Sequence, residues 1–277
     1  ITCRDWSSDV CSSDLPDLDR EWSGIQAGAW LEQVLAELRD PAQLKNDRPI
    51  PGLEANLRPY QAVGVNWLWF LSRLGLGGCL ADDMGLGKTL QVLALLLKRK
   101  SESTAQRRSS LLIVPASLLA NWRSEIARFT PALTFAILHP SEAEELPALL
   151  EAPATRHADL VITTYGMLSR LETLRQQEWD LAILDEAQAI KNPGTRQARA
   201  VKELNATSRF ALTGTPVENR AADLWSIFDF LNPGLLGSAA AFTKFVRARE
   251  SAEHPDYGPL RARSEERRVG KECRSRW

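Results

Sequence analysis

DDMGLGKT, Asp82 to Thr89, lies between a short apolar stretch (Cys79, Leu80, Ala81) and a leucine-rich run at helical spacing. Gly85 and Gly87 permit the left-handed backbone and close approach that a polyphosphate cradle requires, and a helix opening at Lys88 turns its positive end toward that cradle. Asp82, Asp83, Met84, Gly85, Leu86, Gly87, Lys88 and Thr89 therefore read as a phosphate-binding loop. Within it, Lys88 neutralises the β- and γ-phosphates and Thr89 offers its hydroxyl to Mg²⁺. Asp82 stands where the general pattern GxxxxGK[ST] has its first glycine. The strand before the loop and the helix after it supply the context that a bare glycine string lacks.

A second signature, LAILDEAQ, follows about a hundred residues later and ends on Gln188. Asp185, at the end of an apolar strand, suits the carboxylate that holds Mg²⁺ through the metal's water shell. Glu186 beside it is placed to orient or deprotonate an attacking water. An Asp-Glu pair after a strand is commonly only a cap or a turn; combined with the glycine loop it reads as an acid pair for ATP hydrolysis. Lys88, Asp185 and Glu186 are the candidate catalytic residues, with Thr89 and Asp185 as the Mg²⁺ ligands.

The rest of the chain alternates short apolar strands with amphipathic helices. Strands are expected at Gly78 to Ala81, Leu111 to Val114, Thr134 to Leu138, Leu160 to Thr163, Leu181 to Leu184 and Arg209 to Leu212. Helices are expected from Pro59 to about Arg73, then at Lys88 to Lys98, Leu118 to Phe129, Tyr165 to Leu174 and Arg196 to Leu204. Runs such as LLIV and LAIL are apolar throughout rather than alternating, as in a parallel sheet covered on both faces. The fold class is α/β, with a mainly parallel central sheet. A further helix, Ala27 to Leu38, precedes a polar, proline-bearing connector (Pro41 to Pro51), which marks a boundary upstream of the main domain.

Both ends are set apart from this reading. RSEERRVGKECRSRW (residues 263–277) and DWSSDVCSSD (residues 5–14) resemble sequencing-adapter DNA read as protein, so residues 1–15 and 263–277 are treated as scars. The native portion then reads as 16–56, the end of an upstream region; 57–237, the main domain; and 238–262, the start of a truncated connection. The chain as a whole carries a net charge of −1, and without its ends it stays slightly acidic. No bulk basic field draws in nucleic acid, so any DNA contact must come from a local stripe of donors. Cys3, Cys11 and Cys273 fall in the set-aside ends, which leaves Cys79 as a small buried hydrophobe in a reducing compartment. No apolar run reaches the roughly 18 residues that span a bilayer, so no membrane association is expected. His139 and His157 have no ligand-like spacing and are assigned no metal.

Six motifs in order carry a family resemblance. LRPYQ (Leu57 to Gln61), DDMGLGKT, LLIVPASLLANW (Leu111 to Trp122), VITTYGML (Val161 to Leu168), LDEAQAIKN (Leu184 to Asn192) and LTGTPVENR (Leu212 to Arg220) are similar to the first motor lobe of the Swi/Snf-type helicase-like ATPases. Asp82 at the head of the loop is itself typical of that family. The resemblance implies a RecA-like, three-layer αβα lobe that binds ATP and Mg²⁺, and a parent protein that moves on double-stranded DNA. It further implies that Gln61, with Arg58 nearby, recognises adenine. Gln188, Thr213, Gly214 and Thr215 would relay the state of the γ-phosphate. Pro115, Ser117, Thr163, Thr164 and Tyr165 would line a sequence-independent track for one DNA strand. A second lobe with its arginine fingers is not found after the last motif, so weak Mg-ATP binding and little DNA-stimulated hydrolysis are expected of this polypeptide alone. Alternatives are the first lobe of a strand-separating helicase or restriction-type motor, and a nucleotide-gated binding module. The alanine-rich composition and motif wording look bacterial. The expected setting is therefore cytoplasmic and nucleoid-associated, with RNA polymerase or nucleoid proteins as targets and no small-molecule substrate beyond ATP.

Overall fold

The structure is a computed structural model and describes residues 49–102, 108–140, 157–214, 221–250 and 266–267. Of the two units into which the chain divides, Ile1–Gln43 and Leu44–Trp277, only the second carries described residues. The helix expected at 27–38 lies outside them.

The described residues open with α1 (Pro59–Leu74), started by a proline at its first turn and closed by Gly75 in the left-handed region at φ 69. β1 (Gly78–Leu80), α2 (Lys88–Glu102) and β2 (Ser110–Val114) follow, and a short 3₁₀ turn (Ala116–Leu118) then leads into α3 (Leu119–Phe129). Next come β3 (Phe135–Leu138), β4 (Leu160–Thr164), α4 (Tyr165–Leu168), α5 (Glu172–Gln176) and β5 (Glu178–Leu184). A 3₁₀ turn (Ala187–Ile190), α6 (Arg196–Lys202), β6 (Asn205–Leu212), α7 (Ala221–Leu231), α8 (Ala239–Glu250) and β7 (Glu266–Arg267) complete the order.

All strand pairs are parallel, in the order β3-β4-β2-β5-β6-β1-β7. The expected parallel α/β sheet is therefore present, and six of its strands are the six read from the sequence. The two-residue β7 adds an edge beside β1 and comes from the terminal stretch set aside above. Leu111 to Val114 and Leu181 to Leu184 are all fully buried. Each such leucine contributes about 1.5–3 kcal/mol on burial, several times the contribution of a surface ion pair, so this apolar centre dominates the lobe's stability.

Two strands run longer than their apolar signal. β5 begins at Glu178 and β6 at Asn205, because polar residues there make pairs across the lobe instead of facing oil. Asp180 is bound by two of the three Arg99 guanidinium nitrogens, Nε and Nη2, while Ser208 Oγ donates to Ser72 O at 3.3 Å. The helix expected at 165–174 is two short ones. Leu171 N and Arg170 N both bond back to Met167 O, which closes the first after one turn. Gly77 is required by close approach: a Cβ there would lie 2.3 Å from Leu231 O and 2.8 Å from Arg209 O. Asn232 donates to Gly77 O and accepts from Gly77 N, pinning the end of α7 to the start of β1.

Asp159 supplies a stability test. Its carboxylate accepts from Lys100 Nζ at 2.7 Å, Thr134 N at 2.9 Å and Thr134 Oγ1 at 2.8 Å, joining α2 to the entries of β3 and β4. Burial alone would push this carboxyl up, but the Lys100 and Thr134 hydrogen bonds outweigh it and hold the carboxyl below its ordinary value. A depressed carboxylate adds stability that is present above its unfolded pKa and lost as pH falls through the folded one. Asp159→Asn should cost about 1 kcal/mol in urea unfolding at neutral pH, and the gap to wild type should narrow as pH falls through the folded pKa of Asp159.

Candidate nucleotide site

The signature segments leave neighbouring strands. β5, β6 and β1 lie side by side, and their carboxyl ends carry Asp185, Thr213 and the glycine loop respectively. Ligands in open parallel sheets bind beyond those ends. Thr213 N donates to Leu80 O at 3.2 Å, and Asp185 N to Ile113 O at 2.9 Å, so adjacent strand ends are tied at the point where the loops depart.

The loop has the backbone its glycines foretell, with Gly85 at φ 83 and Gly87 at φ 78. Asp82 is fully buried and its Oδ2 accepts from Gln91 Nε2 at 2.9 Å. That bond accounts for an acid at the first loop position, because it bolts the loop's entrance to α2. Lys88 Nζ donates to Asp82 O at 2.8 Å and Asp83 O at 3.3 Å, so the ammonium rests across the loop's own carbonyls. Gln61 reaches in from α1: Oε1 accepts from Arg58 N at 2.9 Å and Nε2 donates to Leu86 O at 3.0 Å. Tyr60 donates to the same carbonyl at 3.1 Å. A primary amide has two donor hydrogens and two acceptor lone pairs, so one of each remains on Gln61 beyond these bonds.

Gly87 joins the two segments. A Cβ at this position would stand 2.4 Å from Gln61 Nε2, on a backbone that side chains rarely adopt. Gly87→Ala should therefore displace Gln61 and strain the loop by about 1–2 kcal/mol. The expected result is a loss of nucleotide affinity of roughly tenfold, measurable by titration of a fluorescent ATP analogue.

The acid pair lies at the end of β5. Asp185 is 8% exposed, and its two carboxylate oxygens accept from Trp122 Nε1 at 2.8 Å and from Glu186 N at 3.0 Å. Burial raises its pKa above the ordinary carboxylate value. The Trp122 bond opposes the rise, the Glu186 charge adds to it, and Lys88 is close enough to pull it down. Glu186 takes the left-handed backbone, φ 51 and ψ 55, the single non-glycine residue at positive φ among those described. Such a residue costs about 1–3 kcal/mol and survives where its surroundings over-determine it. Gln188 Nε2 donates to Glu186 Oε2 at 2.6 Å, and Gln188 Oε1 accepts from Thr213 Oγ1 at 3.0 Å. Acid, glutamine and threonine thus form one hydrogen-bonded chain from β5 to β6.

Lys88, Asp185, Glu186, Gln188 and Thr213 are accordingly gathered at one edge. Gly214 joins them, since a Cβ on it would come within 3.1 Å of Met84 Cγ. Thr215 lies outside the described residues. Arg58 is exposed and contributes its backbone N–H to Gln61. Pro115 and exposed Ser117 follow β2, while Thr163 and Thr164 end β4 and Tyr165 follows it, on the next strands along. The last three side chains face inward. Thr163 Oγ1 donates to Leu138 O, Thr164 Oγ1 accepts from Met167 N, and Tyr165 donates its hydroxyl to Asp185 O. Burial lifts the Tyr165 phenol well above its ordinary pKa, and the Asp185 and Glu186 charges add to that, so it stays a donor. Sequence reasoning missed Trp122, Tyr60 and Gln91. For Trp122 a signal existed, because a buried indole N–H needs a partner.

The donor set fits Mg-ATP. An ammonium, a threonine hydroxyl on the first turn of α2 and a carboxylate whose two oxygens each retain a lone pair meet at one strand edge. Among the described residues, no cluster of three or more His, Cys, Asp or Glu side chains could hold a metal, and no helix is long and apolar enough to cross a membrane.

A glycine loop on the first strand and an acid pair two strands away, on an all-parallel sheet flanked by helices, define a RecA-like nucleotide-binding lobe. Residues 60–267 match the SNF2-related domain, and the chain belongs to that family. YwqA of Bacillus subtilis, whose name proposes an ATP-dependent helicase/translocase, is 42% identical over 238 residues, 84% of this chain and 25% of its own length. The TATA-binding protein-associated factor MOT1 of Saccharomyces cerevisiae is 38% identical over 219 residues, 75% of this chain and 12% of its own length. Among solved structures, the Sulfolobus solfataricus SWI2/SNF2 ATPase core in complex with dsDNA superposes with a TM-score of 0.73 at 41% identity, covering 83% of this chain and 48% of that one. The chain therefore spans a quarter or less of these two curated relatives.

Proposed function

We propose that the chain is the ATP-binding lobe of a DNA translocase, which couples ATP hydrolysis to movement along duplex DNA. The observation that carries this reading is the hydrogen-bonded chain from Glu186 through Gln188 to Thr213, lying between the acid pair and the glycine loop on adjacent strand ends. Lys88 leaves the carbonyls of Asp82 and Asp83 to bind the β- and γ-phosphates, and loop amides from Gly85 to Lys88 surround them. Thr89 and Asp185 would hold Mg²⁺, which supplies charge neutralisation on the phosphates. Glu186 orients the attacking water, and Gln188 fixes that carboxylate while sensing Thr213. Gln61 reads adenine with the donor and acceptor left to it.

The DNA strand runs over the segment after β2, at Pro115 and Ser117, and over the end of β4 and the residue that follows it, at 163–165. Ser117 offers its hydroxyl; the inward-turned threonines and tyrosine leave backbone groups to meet phosphates there. The duplex in the Sulfolobus complex supports DNA as the partner. Among targets we favour RNA polymerase or nucleoid proteins, in keeping with the bacterial relative. A module that merely holds ATP has no chemical need for Glu186 in a strained conformation bonded to Gln188, which argues against that alternative.

Hydrolysis by the full-length protein should rise on adding blunt duplex DNA. A triplex-displacement assay should report movement while a forked duplex stays paired. Separation of the fork would reassign the chain to a strand-separating helicase, and hydrolysis indifferent to DNA would overturn the motor reading.

A further inference from the structure

Two aromatic side chains that the reading above does not employ chemically converge on Asp185. Trp122, on α3, is fully buried and donates its indole N–H to Asp185 Oδ2 at 2.8 Å. Tyr165, at the start of α4, is nearly as buried and donates its hydroxyl to Asp185 O at 2.8 Å. Both span long stretches of chain, 63 and 20 residues, so neither contact follows from local geometry. A buried indole or phenol must find an acceptor, and in a lobe of paired strands and helices a nearby main-chain carbonyl commonly suffices. Trp179 behaves that way, donating to Leu174 O five residues off. Trp122 reaches past its own surroundings to a carboxylate.

Where the two rings come from matters as much as where they end. α3 runs directly on from the turn that holds Pro115 and Ser117, and Tyr165 closes the Thr163 to Tyr165 segment. Along the carboxyl edge of the sheet the strands read β4, β2, β5, β6, β1. The two segments assigned to DNA therefore lie on one side of β5, and the loop and the threonine segment on the other. Asp185 is the boundary residue. One ring comes from the helix that continues the first DNA-facing segment and one from the second segment itself, and they hold it at the carboxylate and at the carbonyl respectively. A shift of either segment against a phosphate strand would reach the metal carboxylate through a single side chain and one hydrogen bond.

We propose that Trp122 and Tyr165 are positioning residues that transmit DNA contact to Asp185, setting where its carboxylate stands for Mg²⁺. The proposal rests on the motor reading. It supplies a physical two-point link between the sites, the kind of contact that a claim of coupling requires. Partners that orient metal-binding groups typically alter metal affinity about 10- to 100-fold when removed.

The test uses the full-length protein. Trp122→Phe and Tyr165→Phe each remove one donor and retain most of the ring volume. Each should raise the Mg²⁺ concentration for half-maximal binding of a fluorescent ATP analogue by about tenfold, and lower kcat far more than it raises KM for ATP at saturating Mg²⁺. Independently, the ¹⁹F resonance of 5-fluorotryptophan at position 122 should move when duplex DNA is added without nucleotide. It is assigned by its loss in Trp122→Phe or, should that variant not fold, by its displacement in Asp185→Asn. Variants that lose stability yet keep the wild-type Mg²⁺ dependence would reduce both rings to packing and overturn the proposal. A resonance unmoved by duplex that fluorescence anisotropy shows to be bound would overturn the coupling alone. Absence of duplex binding in that anisotropy would instead sink the motor reading and this inference with it.

Discussion

Lys88→Ala should bind Mg-ATP roughly a hundredfold more weakly than the wild type, a loss of about 3 kcal/mol. The size follows from what the ammonium does. It is the loop's one formal cation, and a charge-assisted bond to phosphate in a half-buried cradle is worth more than a neutral bond in water. The unliganded fold should tolerate the change, because Lys88 there spans only two carbonyls at the loop entrance, those of Asp82 and Asp83. The loop itself is held by other means: Asp82 by Gln91, Leu86 by Tyr60 and Gln61. Isothermal titration should therefore show lost affinity while the urea midpoint moves little. Wild-type affinity in the variant would mean that nucleotide binds somewhere other than this loop.

The loop and the acid pair could be read from the chain because each is local. Glycine at Gly85 and Gly87, lysine at Lys88 and the Asp185–Glu186 pair are short strings whose spacing states their chemistry, and the apolar strands before them need only a sliding window. β2 and the last half of β5 were legible for the same reason, since strands covered on both faces are continuous in leucine, isoleucine and valine. What escaped was pairing over distance. The polar start of β5 is sheet because Asp180 meets Arg99, 81 residues away, and no periodicity contains that fact. Gln61 was assigned to adenine, yet its carboxamide also ties Arg58 to Leu86, a structural task invisible in LRPYQ. Trp122 is core, fully buried, and its one polar atom makes it part of the site. Thr163 and Tyr165 sit where the motif order puts them, but which way their hydroxyls turn depends on β3 and β5, not on their neighbours in sequence.

Glu186→Gln should leave Mg-ATP affinity within about twofold of wild type and reduce DNA-stimulated turnover in the full-length protein by about 10²- to 10⁴-fold, the usual contribution of a general base. An amide oxygen has the same reach as a carboxylate oxygen but negligible basicity, so water would still be oriented and no longer deprotonated. The surroundings of Glu186 make the substitution a clean one. Its backbone N–H donates to Asp185 Oδ1, and Gln188 Nε2 donates to its side-chain oxygen, and both bonds are available to glutamine. Gln188→Ala provides the matching control. It removes the link to Thr213 and leaves Glu186 basic, so turnover should fall less than in Glu186→Gln, and it should lose its dependence on DNA rather than its chemistry. If Glu186→Gln instead weakened nucleotide binding and turnover together, this carboxylate would belong to the binding of ATP, and the water would have to be activated from another group at the edge where β5, β6 and β1 meet.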